Sequence, residues 1–290
     1  MSDFKNPFAD PELTYKGKTV RQRGEELEAE ERRQDLETRL EAKGKKKPTR
    51  QPPAPTSTPP LIVPAGNFRI ENLLDRYRLH NISYNGLLYV VDWSKELLEN
   101  GTKHSQDEWV QQTQGAGWKL PNSQLVHASL LALYNNRNHT NHKTLVEKVI
   151  EEVFKPDFTK NYPHTSTRVA YKPKGKDIVT HNLGYTTQRE IQAKIVGKDD
   201  FIKVGCGFDD SIEALLGTRN LAEVEQVYEW VSGKKPYLYR INQTPTEEVL
   251  RAVVLGLDVG NNRFYINAYY YVNISRPARG CDLVGRAKTP

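Results

Sequence analysis

The sequence is short of cysteine and of long apolar runs, and each shortage excludes something. Two cysteines, Cys206 and Cys281, cannot build a disulfide framework, so a reducing, intracellular setting is expected. Uninterrupted apolar runs such as Leu87–Val91 fall far short of the ~20 residues a membrane helix needs, so no membrane partner is expected. The first residues, MSDFKNPFAD, lack an apolar signal segment, which points to the cytoplasm. There is no Walker loop, dinucleotide glycine fingerprint, nucleophile elbow or HExxH, so no cofactor is expected. His139 and His142 have metal-ligand spacing, but no further ligands stand at readable spacing and no metal is expected.

What is present is charge, unevenly placed. The net charge is +6 over 290 residues. Residues 1–60 hold 13 Lys/Arg against 11 Asp/Glu. Residues 155–176 set Lys155, Lys160, Arg168, Lys172, Lys174 and Lys176 against Asp157 alone. Residues 263–290 set five cations against Asp282. Concentrated positive charge suggests an anionic partner.

Composition divides the chain into three. Residues 1–65 read as a disordered arm with a charged helix at Gly24–Lys43, a basic patch at Lys43–Arg50 and the Pro-rich linker QPPAPTSTPPLIVP. The patch is compatible with nuclear import. Residues 1–60 could also tether a protein partner. Residues 66–160 read as mainly helical, with helices at Phe68–Tyr77 and Trp93–Asn100 and a strand at Leu87–Val91. Capping boxes at Ser105/Glu108 and Asn220/Glu223 mark two helix starts. Residues 161–290 turn towards strands, with an expected hairpin at Glu190–Val204. The expected fold is α+β: a helical N-terminal half, then an antiparallel sheet with two helices.

The clearest signal is Arg251–Ile274, a hairpin whose second strand alternates strictly. Phe264, Ile266, Ala268 and Tyr270 mark a core face, and Tyr265, Asn267, Tyr269 and Tyr271 mark the other. Tyrosines can stack on unpaired bases, amides can read base edges and cations can hold phosphates. The expected ligand set is therefore Tyr265, Asn267, Tyr269, Tyr271, Arg276, Arg279, Lys172, Lys174 and Lys176, on a non-catalytic binding module for nucleic acid. An assembly protein tethered by its arm is one alternative. A Cys/His-dependent hydrolase or transferase is another, with Cys206, between glycines near a helix start, as nucleophile and His181 as base.

Overall fold

A computed structural model describes residues 68–113, 117–183, 186–192, 201–204, 209–241, 245–258 and 262–286, with the short strands β1 (Thr14–Tyr15) and β2 (Lys18–Thr19). The expected charged helix, basic patch and linker lie outside these residues. The chain divides into two units. One comprises 1–60 and 258–262, in which β1 pairs antiparallel with β2. The other comprises 61–257 and 263–290 and holds the remaining elements.

Strands open this larger unit, which corrects the expected helical N-terminal half. They are β3 (Arg69–Asn72), β4 (Arg76–Tyr84) and β5 (Leu87–Leu97). Phe68–Tyr77 and Trp93–Leu97 are thus strand-forming, not helical. The pattern in β4 is broken by one residue. Tyr77 and Leu79 point inward, and then Ile82 and Tyr84 do. A register shift between Leu79 and Ile82, with Asn81 at φ 60°, absorbs the extra residue. Such a bulge keeps apolar side chains inside while hiding the period of two. With β13 (Arg279–Arg286), these strands form an antiparallel sheet in the order β13-β5-β4-β3.

Helices follow: α1 (Gln106–Gln112), α2 (Ser123–Asn136) and α3 (Lys143–Val149), with π-helical turns at Ile150–Phe154 and Asp157–Asn161. The α1 capping box is present in both directions. The second sheet uses β6 (Thr167–Tyr171), β7 (Lys176–Asn182), β8 (Thr186–Gln192), β9 (Phe201–Lys203), β10 (Pro236–Tyr239), β11 (Val249–Asp258) and β12 (Arg263–Tyr271). Helices α4 (Asp209–Leu216) and α5 (Leu221–Ser232) sit between β9 and β10 in sequence. Gly217 and Gly233 follow the two helices at φ 80° and 70°, conformations that favour glycine.

The order is β8-β7-β6-β11-β12-β10-β9, with β10 and β12 parallel. β8 and β9 therefore occupy opposite edges, and the hairpin expected at Glu190–Val204 does not form. β11 and β12 are neighbours, as the alternation required. A large apolar cluster joins the two sheets, and two smaller ones form around Trp109, Leu120 and Ala278 and around Ala252, Val254 and Tyr270. Phe154 and Phe158 lie on successive turns. Their rings stand 5.1 Å from Trp93 of one sheet and 5.1 Å from Phe264 of the other.

Candidate functional site: an aromatic and cationic sheet face

β12 pairs in parallel with β10, placing Tyr237 beside Tyr265 and Tyr239 beside Asn267. β9 adds Lys203 beside Tyr237. Lys203, Tyr237 and Tyr265 thus form a row across three strands. Inward from this sheet lie Leu238, Phe264, Ile266 and Ala268, all buried, with Tyr228 of α5 stacked on Phe264 at 4.6 Å. That burial places Tyr237, Tyr239 and Tyr265 on the other face, but the parity changes further along β12, where Tyr269 packs against the main core cluster and Tyr270 joins Ala252 and Val254 in a separate one.

The rings there contact one another. Tyr239 lies 5.9 Å from Tyr265 and 5.0 Å from Tyr269, and Tyr269 lies 6.5 Å from Tyr271. Arg263 sits over Tyr237 at 4.6 Å. Arg251, from β11, sits over Tyr271 at 4.2 Å and Tyr269 at 5.3 Å. Tyr271 is 48% exposed, whereas Tyr237, Tyr239, Tyr265 and Tyr269 are half-buried. The sequences of β9, β10 and β12, FIK, PYLY and RFYINAYYY, contain no Asp or Glu. Phenol faces and positive charge therefore coincide with no acidic side chain supplied by the same strands.

The expected ligand set is only partly gathered here. Tyr265 belongs to the face, and Tyr269 and Tyr271 join it through ring contacts that run from Tyr239. Asn267 is 9% exposed and its Oδ1 accepts from the Tyr269 amide at 2.9 Å, so it is committed to holding the strand. Arg279 is internal. Its Nε and Nη2 donate to Asp157 at 2.8 and 2.6 Å, and Nη1 donates to the carbonyls of Ser94 and Lys95. Both members of this pair are nearly inaccessible, so Arg279 is a buried tie between β13 and the Asp157 turn, not a surface cation. Lys172 and Lys174 lie in the β6–β7 connection and Lys176 opens β7; Lys172 pairs with Glu248 and Lys176 with Glu190 at 3.2 Å. Lys174 is exposed.

Arg276 has a different setting. Its guanidinium lies 4.2 Å from the Tyr270 ring and 5.5 Å from the Tyr162 ring. Nη2 donates to the Tyr270 hydroxyl. Its backbone is fixed by a two-way bridge to His104 and by the Trp109 indole, whose Nε1 donates to the Arg276 carbonyl at 2.7 Å.

The expected catalytic pair does not assemble within the described residues, because Cys206 lies outside them. His181 is 3% exposed and both ring nitrogens are engaged. Nε2–H donates to the Ala214 carbonyl at 2.8 Å, so Nδ1 is the acceptor for the Thr167 hydroxyl, also at 2.8 Å. The Ser123 amide donates to that same hydroxyl oxygen at 2.9 Å. This network staples the start of α2 to β6, β7 and α4. Burial lowers the His181 pKa to about 4, so the ring is neutral at pH 7. Cys281 is buried and its thiol is pushed well up by desolvation and by Asp282, which suppresses thiolate chemistry. A cavity of about 20 Å³, lined in part by Trp93, Asp157, His164 and Arg279, has room for one water molecule.

Sequence reasoning missed Tyr237, Tyr239 and Arg251 as neighbours of this face. The alternation in Pro236–Tyr239 was a signal, but only the parallel pairing places that strand beside β12. No family model matches the chain, and no curated protein and no solved structure matches it either, so its function rests on these residues alone.

Proposed function

We propose that this protein is a binding module for single-stranded nucleic acid, using the face formed by β9, β10 and β12. One observation carries the reading: tyrosines on β10 and β12 lie beside Lys203 and Arg263 on strands whose own sequences hold no carboxylate, and Arg251 of the neighbouring β11 sits over Tyr271. Every base has a π face, so stacking on tyrosine tolerates sequence and contributes about 1–3 kcal/mol per base. Cations beside the rings neutralise the backbone and make affinity depend steeply on salt. Tyr271, the most exposed ring, with Arg251 over it, is the natural first contact. Unpaired bases fit better than duplex, whose bases are already stacked and leave no free π face.

The test is fluorescence anisotropy of labelled pyrimidine oligonucleotides with the full chain. Binding should weaken steeply from low to moderate salt. It should weaken further in Tyr271→Ala, with a self-complementary duplex of equal length bound less well. The reading is overturned by an absence of binding at low salt, or by equal affinity of wild type and a Lys203→Ala/Tyr271→Ala double variant.

A further inference from the structure

The Arg276 corner asks for a ligand of its own. Most arginines of the larger unit pair with an acid: Arg69 with Glu71, Arg78 with Asp92, Arg168 with Asp107, Arg240 with Asp177 and Arg279 with Asp157. Arg276 pairs with none among the described residues. The carboxylates on neighbouring elements are already engaged, Glu99 by His104 at 2.9 Å and Asp107 by Arg168 at 2.8 Å.

Its donors are incompletely used. Nη2 reaches the Tyr270 hydroxyl, and Nε is enclosed without an acceptor. Nη1 has no hydrogen-bond partner among the described residues and is not enclosed. Tyr270 and Tyr162 lie against the guanidinium and fix its plane, which cuts the entropy lost when its donors meet a ligand. The His164 imidazole donates through Nε2 to the Ile274 carbonyl and is held neutral by burial, so it supplies no countercharge. A planar donor fork, held by rings and lacking a carboxylate, suits a compact oxyanion with more than one charge.

We propose that Arg276, held by Tyr162 and Tyr270, is the anchor of a phosphate-binding site for inorganic phosphate or a small phosphate monoester. The site shares β12 with the β9–β10–β12 face, through Tyr270, which packs in a different cluster from Tyr269, and it does not require that face to bind nucleic acid.

The experiment is NMR of arginine side-chain Nε–H groups in the full-length wild-type protein. The Arg276 resonance is identified as the one missing from Arg276→Lys. Inorganic phosphate is titrated against sodium chloride at matched ionic strength, and a nucleoside 5′-monophosphate forms a second arm. The Arg276 signal should shift saturably with phosphate, by more than the exposed Arg219 signal and not with chloride. The arm that saturates at the lower concentration identifies the source of the phosphate. A shift no larger than chloride gives, or the same non-saturating drift at Arg219, means an adventitious ion only and overturns the site. Oligonucleotide binding without a phosphate response at Arg276 would remove this inference alone. The converse would remove the nucleic-acid reading alone.

Discussion

Both sheets present cations on one face, and they use them differently. On the outer face of the four-stranded sheet, Arg78 binds Asp92 through two donors at 2.8 and 2.9 Å. Arg76 binds Asp75 and Asp92, Arg69 binds Glu71, and Lys119 approaches Asp282 at 3.6 Å. Cross-strand register supplies Asp92, which stands opposite Arg78, while Asp75 and Glu71 are close in sequence to the arginines they pair with. On β9, β10 and β12 register brings tyrosines beside cations. The first face sets its cations against carboxylates, while the second sets Arg251 and Arg263 over aromatic rings. Counting lysines and arginines along a sequence cannot separate the two cases, because the difference lies in what the neighbouring strand contributes.

The largest expected effect comes from breaking a charge pair that is internal. Arg279→Met leaves Asp157 buried without its partner and should cost about 3–5 kcal/mol in urea denaturation. A loss below about 1 kcal/mol would mean that Arg279 is a surface cation after all. Acid should act almost as strongly. His164 and His181 have folded pKa values of about 4, depressed by burial from 6.5. Between these values the unfolded chain takes up protons that the folded chain refuses. The contribution is therefore fully present above pH 6.5 and is lost as pH falls towards 4, by up to about 3 kcal/mol per histidine. Stability curves of His181→Gln should flatten over that window, and an unchanged slope would remove His181 as a cause.

Smaller effects sharpen the contrast between the sheets. Tyr271→Ala should weaken oligonucleotide binding by about 1–3 kcal/mol while leaving the melting temperature nearly unchanged, since the ring is half exposed. Arg251→Ala should lower the slope of log affinity against log salt by about 1. Arg69→Ala, on the acid-paired sheet, should leave that slope unaltered. Equal slopes for the two variants would dissolve the distinction. The smallest change expected is for Lys172→Ala, whose exposed pairing with Glu248 contributes about 0–1 kcal/mol to stability and nothing to binding.

Some of the molecule was legible in advance. Long amphipathic helices with glycine stops, the Ser105/Glu108 box and the alternating β12 strand carry their structure locally. The opening strands did not. Ile70, Leu73, Leu74 and Tyr77 fall at helical spacing, yet Leu74 is a hairpin-tip residue that is 97% exposed. The bulge at Asn81 then shifts the parity of β4, so the strand lacks the clean period that reveals a sheet. β13 was unreadable for a similar reason, with register shifts on either side of Cys281–Leu283. Of the site, the tyrosines of β12 were visible. The fates of Asn267, Arg276 and Arg279 were not, because each is set by a residue distant in sequence or by the pleat of its own strand.

The sequence by itself determined the α+β character and the two-faced β12 strand, since periodicity and caps are properties of adjacent residues. The tertiary structure decided the strand order, the parallel union of β10 with β12 and the assignment of cations to partners. Those depend on contacts between residues far apart in the chain, as when Arg279 meets Asp157 across 122 positions.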